Sequence, residues 1–201
     1  MQAAYAQLQQ YAPALANPPL LIVCDTDRFV IHTNWNDLVS ETHEIALEEL
    51  ANPDKLNLLR HAFFEPDRLK PAKSRQQLTE EVAGKFATIS EKLRQRGNDP
   101  HQIAHFVNRL IFCMFAEDAK LLPKDLFTHV LERSLKMPTD LQRKLSSLFA
   151  AMRDGGDWGM EEILWFNGGL FDDDTALELK PDEIQMIYDT ARKDWSDIDP
   201  S

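Results

Sequence analysis

The spacing of apolar residues changes near residue 53, and this change limits what the chain can fold into. Before it, Leu20–Cys24 (LLIVC) and Phe29–Thr33 (FVIHT) are short apolar runs rich in β-branched residues, the signature of strands. After it, apolar residues recur at three and four positions, as helices require. The pattern predicts a mainly α fold: a helical bundle with a small N-terminal β element, α+β overall.

Local punctuation refines this. Residues 2–16 are rich in alanine and glutamine and read as a helix limited by Pro13 and broken by Pro18-Pro19. Asp25-Thr26-Asp27-Arg28 has turn composition, so the two apolar runs form a hairpin. Leu20–Cys24 lacks polar alternation, which predicts a strand covered on both faces. A lone two-stranded hairpin is marginal in water. A further strand is therefore expected, from His43–Leu47 or from chain outside this sequence.

Pro53 suits the first turn of a helix carrying Leu56, Leu59 and Phe63. Residues 64–73, with two prolines, read as an extended connector. Ser74 is placed to cap a long helix through Arg96, with Leu78, Val82, Phe86, Ile89 and Leu93 on one stripe, ended by Gly97. Asp99-Pro100 opens a helix whose Ile103, Phe106, Val107, Leu110, Ile111, Met114 and Phe115 make it apolar over much of its circumference, as befits a bundle's centre. Helices over 124–136 and 139–153 follow, the second closed by Gly155-Gly156. Then come Glu161–Phe166, a turn at Asn167-Gly168-Gly169, an acidic loop and a helix from Pro181 to about Trp195.

Composition excludes several function classes. Two cysteines, Cys24 and Cys113, cannot build a disulfide framework or a four-cysteine zinc site. No apolar run approaches the roughly 18 to 20 residues of a membrane span, and MQAAYAQLQQ lacks the features of a secretion signal. A cytoplasmic chain with no membrane partner is expected. The net charge is −11 but unevenly spread. Residues 1–50 carry one base and seven acids, and residues 154–201 three bases and fourteen acids. Residues 51–110 carry eleven bases and seven acids, and residues 111–153 seven and five. A mildly basic centre thus lies between two acidic ends, and a polyanion could touch the centre.

Short motifs suggest chemistry that their contexts do not support. Asp25 and Asp27 after an apolar strand resemble the DxD start of a haloacid-dehalogenase phosphatase, in which the first Asp is nucleophile and the second general acid. The chain that follows turns helical instead of building βα repeats, so a tight acidic turn is the better reading. Asn17-Pro18-Pro19-Leu20 approaches the NPP-aromatic motif of amino-methyltransferases, but Leu20 stands where a stacking aromatic belongs. His101 and His105 sit at i, i+4 without the glutamate of a zincin. Asp172-Asp173-Asp174 lacks the spacing of a calcium loop and reads as a solvated acidic loop. Arg68, Lys70, Lys73 and Arg75, with Lys55 and Arg60 nearby, gather around the connector and are candidate DNA-phosphate contacts, as are Lys92, Arg94 and Arg96 at the end of the long helix.

Longer strings carry more information. NPPLLIVCDTDRFVIHTNW (17–35), RLIFCMFAEDAKLLP (109–123), LFAAMRDGGDWGMEEILWFNGGLFDD (148–173) and IYDTARKDWSDIDPS (187–201) resemble, in this order, the large MmeI-like restriction-modification enzymes and related BREX-type DNA methyltransferases. The resemblance implies that residues 1–50 are the C-terminal remnant of a nuclease-like α/β domain. It implies that residues 51–201 are a helical spacer preceding a methyltransferase domain that lies outside this chain. The parent it implies methylates adenine N6 in specific double-stranded DNA with S-adenosylmethionine and, where its nuclease is active, cuts with Mg2+. The metal-binding Asp and ExK pair of the nuclease, and the cofactor loop and NPP-aromatic motif of the methyltransferase, are not among these residues. The segment alone is expected to have no catalytic, cofactor-binding or metal residues. Its role would be to position nuclease and methyltransferase domains on DNA. Trp158, Trp165, Phe166 and Phe171 are expected to lock the last helices to the bundle, with Gly168 and Gly169 supplying unusual backbone angles. A standalone protein-interaction module is the alternative, and a DxD phosphatase a third.

Overall fold

A computed structural model of the chain describes residues 1–166, 168–195 and Ile198, which form two compact units, Met1–Leu78 and Thr79–Ile198. Helices dominate both, and the small β element is N-terminal as expected.

The first unit is built around an antiparallel sheet of β1 (Leu20–Cys24), β2 (Arg28–Thr33) and β3 (Thr42–Ala46), in the order β1-β2-β3. Ile22 pairs with Ile31, and Ile31 with His43, so one register runs across all three strands. The third strand comes from the His43–Leu47 region. One face packs Ile31 and Ile45, with Leu20, Ile22 and Phe29, against Ala62 and Leu69. Ala62 lies on α2 (Pro53–Phe64), where Asn52 caps by accepting from the Asp54 amide at 2.9 Å. Leu69 belongs to the short 3-10 turn Pro66–Leu69. The other face carries Leu21 and Val23 towards α1 (Gln2–Tyr11), whose Tyr5 stacks on His32 with ring centroids 3.7 Å apart. Helices on both sides explain why β1 shows no polar alternation. This unit runs past residue 50, through α2 and the connector.

The α3 helix (Arg75–Gln95) begins in this unit with a reciprocal cap. The Gln77 amide donates to Ser74 Oγ at 3.1 Å, and the Ser74 amide donates to Gln77 Oε1 at 3.0 Å. Ser74 therefore caps as expected, and Leu78, Val82, Phe86, Ile89 and Leu93 are all buried.

The second unit holds the rest of α3 with α4 (Pro100–Asp118), α5 (Leu126–Lys136), α6 (Leu141–Asp154) and α7 (Pro181–Ala191). Asp99 caps α4 by accepting from the His101 and Gln102 amides at 3.0 and 3.1 Å. Burial of Ile103, Phe106, Val107, Leu110, Cys113, Met114 and Ala116 makes α4 the core helix of the unit. Phe115, counted with that stripe, is 44% exposed. The residues after Gly155 form a two-stranded hairpin, β4 (Gly156–Trp158) and β5 (Glu161–Ile163), which periodicity over three-residue strands could not reveal. Among the described residues no helix is long and apolar enough to cross a membrane.

Candidate functional site

The groups that most constrain the helical unit are charges on or beside α4, where an apolar helix would not be expected to carry them. Arg109 is 2% exposed although it sits amid Phe106, Leu110 and Cys113. Its Nε donates to the Leu170 carbonyl at 2.7 Å and its Nη1 to the Thr175 carbonyl at 2.9 Å. The same guanidinium grips the Asp173 carboxylate at 2.6 and 3.3 Å and lies over the Phe149 ring. A planar fork with five N–H donors suits such a multiple attachment, and lysine could not reproduce it. The Arg109 guanidinium holds the Asp173 carboxyl well below the ordinary carboxylate range. The acidic loop 172–174 is thus not simply solvated, because Asp173 is a tie to α4.

Two further carboxylates on the last turn of α4 act at a distance. Glu117 accepts from the Phe127 amide at 2.7 Å and from the Thr128 hydroxyl at 2.6 Å. It thereby caps α5, whose own N-cap residue, Asp125, makes no side-chain cap bond. Burial pushes the Glu117 carboxyl up, partly opposed by those hydrogen bonds. Asp118 accepts from the Trp195 amide at 2.6 Å. One helix therefore reaches three separate stretches of chain: 170–175, the start of α5, and Trp195.

A fourth tie lies at the end of α3. Arg96 donates to both oxygens of Glu183 at 2.5 and 2.9 Å and to the Glu178 carbonyl at 2.9 Å. Glu183 has no exposed surface, so its charge depends on this pair and on the Lys180 amide at 2.8 Å. Lys92 is bonded to Asp182 and Arg94 to Glu91. The basic end of the long helix, a candidate for phosphate contact by composition, is accordingly engaged within the protein.

Around these ties the aromatic residues divide. Phe166 and Phe171 pack with Phe112 at ring separations of 5.4 and 5.5 Å, and Phe171 also meets Phe149. Trp158 is half-buried and donates from Nε1 to Ser147 Oγ at 3.1 Å. Trp165 is 62% exposed, so its indole does not lock the bundle as expected. It follows Leu164, also exposed, where the chain leaves β5 along the surface. Gly168 has φ of 147°, a conformation that favours glycine, whereas Gly169 does not have a positive φ. Asn167 lies outside the described residues, as does most of the terminal WSDIDPS string beyond Trp195.

The four connector residues lie on one short stretch of the first unit. Arg68 is exposed and bonded to Glu65 at 2.5 Å, and Lys70 is exposed. Lys73 is part-buried, its carbonyl accepting from the Val39 amide at 3.0 Å. Arg75 is exposed, its amide donating to the Asp37 carbonyl at 3.0 Å. Asp25 accepts from the Asp27 and Arg28 amides at 2.9 and 3.0 Å, and these bonds hold its carboxyl below the ordinary value. This is the geometry of an acidic turn. The His101 and His105 rings lie against each other, tilted by 38°, with centroids 4.5 Å apart. Among the described residues no group of three or more His, Cys, Asp or Glu could hold a metal. The Cys113 thiol is buried against Met152 Sδ at 3.7 Å, and burial pushes its pKa far up, which makes it unreactive.

Sequence reading missed Arg109, Glu117 and Asp118 as a group. The available signal was a fixed charge inside an apolar helix, which has to find partners. Their identity could not be read, since Asp173 lies 64 residues away in sequence.

Residues 101–171 match the family described as the MmeI helicase spacer domain. DNA methyltransferase A of Bacillus subtilis (strain 168) is 27% identical over 129 residues, covering 59% of this chain and 15% of that protein. This chain therefore corresponds to a small part of that relative's length. No solved structure matches.

Proposed function

We propose, from the match of residues 101–171 to the MmeI helicase spacer family and the likeness to a DNA methyltransferase, that this chain is the structural element that sets the geometry between a nuclease domain and an adenine-N6 methyltransferase domain on DNA. In this reading residues 1–50 are the end of the nuclease-like domain and residues 51–201 the spacer, whose first helix and connector pack on the sheet within one compact unit. The parent protein uses S-adenosylmethionine for methyl transfer and Mg2+ for cleavage, and works in the cytoplasm. Its partners are duplex DNA and the adjoining domains. The segment itself contributes position and no reacting group.

The observation that carries this reading is the set of α4 ties. A spacer transmits a fixed distance only if its elements cannot slide, and apolar packing alone is non-directional. Arg109, with four hydrogen bonds to 170–175, fixes both the register and the angle of that segment on α4. The family match ends at Phe171, within the stretch that Arg109 holds.

Rigidity of the helical unit tests it. With Cys24→Ser as background, spin labels at Gln102 on α4 and Glu161 on β5 should give one narrow distance by pulsed electron resonance. Arg109→Met should broaden that distribution. A broad distribution before the substitution would remove the basis for a positioning role. The full chain, mixed with duplex DNA and S-adenosylmethionine, is expected to transfer no methyl groups, and measurable transfer would contradict the reading.

A further inference from the structure

A groove of 290 Å³ opens on the helical unit between α5, α6 and the β4–β5 hairpin. Its lining includes Lys124, His129, Arg133, Lys144, Trp158 and Glu161. His129 and Arg133 stand one turn apart on α5, and Lys144 faces them from α6. Lys124 comes from the loop before α5, and Trp158 from β4. Three fixed cations thus meet at a site where Glu161 is the one lining carboxylate.

The cations are weakly engaged. Lys124 is 92% exposed with its nearest carboxylate, Asp125, at 3.8 Å, and Lys144 lies 3.7 Å from Asp140. Neither separation is a hydrogen bond. Elsewhere in this unit Arg94, Arg96, Arg109, Arg143 and Arg153 are each ion-paired, and Arg192 lies over the Tyr188 ring. Among the described residues Arg133 has no carboxylate within ion-pair reach. In a chain of net charge −11, a concave site where Arg133 has no ion pair among the described residues and Lys124 and Lys144 are held only loosely by Asp125 and Asp140 presents positive charge to an anion from outside.

We propose that this groove seats backbone phosphates of duplex DNA through Arg133, Lys144 and Lys124, an assignment that rests on the reading of the segment as a DNA-proximal spacer. Arginine offers a fork and lysine a point charge, both suited to phosphate oxygens. Contacts of this kind to phosphate oxygens add affinity and register without sequence preference. It is separate from the connector residues Arg68, Lys70, Lys73 and Arg75, which lie in the other unit.

The test is anisotropy of a labelled duplex titrated with the full 201-residue chain at several salt concentrations. Arg133→Glu/Lys144→Glu should weaken binding about tenfold or more and lower the salt slope by about 2. Arg133→Ala/Lys144→Ala should move both readings the same way by less, with an unchanged circular dichroism spectrum excluding misfolding. Affinity and slope that stay put in both pairs overturn the proposal, as does a wild-type chain that binds no duplex. Displacement of the duplex by polyglutamate at equal charge concentration also overturns it, because the groove would then take an acidic protein segment. A narrow label distance from Gln102 to Glu161, together with unchanged DNA affinity, would leave the spacer reading standing and remove only the groove.

Discussion

The sheet unit and the helical unit are held together in different ways. In Met1–Leu78 the centre is apolar, with Ile31 and Ile45 fully buried and charged pairs such as Arg28–Glu44 left at the surface. Such surface pairs contribute little. In Thr79–Ile198 the apolar core is larger, yet buried Arg109, buried Glu183 and part-buried Glu117 sit in or beside it. Each draws on at least one group from 10 to 87 residues away. Burial gives cohesion that tolerates sliding, whereas directional charged bonds fail if an element shifts by an ångström. The helical unit is therefore held by directional bonds as well as by burial, and the sheet unit mainly by an apolar core.

This contrast can be broken most forcefully at Arg96. Replacing it with methionine leaves the Glu183 carboxylate buried and short of its partner, which should cost about 3–5 kcal/mol. The double variant Arg96→Met/Glu183→Leu should recover most of that loss. Guanidinium unfolding followed by tryptophan fluorescence decides it, and a single variant no worse than the double would show that the charge was never dependent on Arg96.

Arg109→Met comes next. It strips donors from the Leu170 and Thr175 carbonyls but leaves Asp173, 60% exposed, free to turn to water. The expected cost is smaller, about 2–3 kcal/mol. Arg109→Lys should restore only part of it, since an ammonium cannot span three acceptors in one plane. Full rescue by lysine would mean that charge alone, and not the fork, matters here.

Acid sharpens the comparison. Asp173 has a depressed folded-state pKa, so the stability it contributes is complete above the ordinary value of 3.8 and is lost as pH falls through and below it. Glu117 is shifted upwards, so it works in the opposite sense. Its desolvated charge weakens the fold as pH rises from the ordinary 4.5 towards its raised value, and acidification relieves this. Stability measured against pH should fall less steeply below 3.8 in Asp173→Asn, and the gain on lowering pH towards 4.5 should vanish in Glu117→Gln. Unchanged profiles would deny either group its role.

The smallest effects belong to the sheet unit. Ile31→Val removes one methylene from a filled core and should cost about 1 kcal/mol. Asp25→Ala, which deletes the acceptor of an exposed turn, should change stability least of all these substitutions. A loss at Asp25 rivalling that at Arg109 would erase the distinction between the two units.

Much of the secondary structure was legible in the residues. The Ser74 cap, the stripe from Leu78 to Leu93, the Asp99-Pro100 start of α4 and the Asp25–Arg28 turn all follow from near-neighbour chemistry. The doubly covered β1 strand was legible too, because an uninterrupted apolar run leaves no face for water. The β4–β5 hairpin was not, since three-residue strands carry too short a period to register. The exposure of Trp165 was not either, for a large aromatic beside a packed turn gives no sign of which way it faces.

By itself, then, the sequence determined where the long helices begin and where the first two strands turn, because those choices depend on residues within a turn or two of each other. It also determined the resemblance to MmeI-like enzymes, carried by ordered strings of residues. Only the tertiary structure decided that Arg109 grips 170–175, that Glu117 caps a neighbouring helix and that Arg96 neutralises Glu183. It decided as well that Arg133 is left facing an open groove. A charge within a chain announces that it needs a partner, but which partner it meets depends on how distant segments fold back, and local chemistry has no means of encoding that separation.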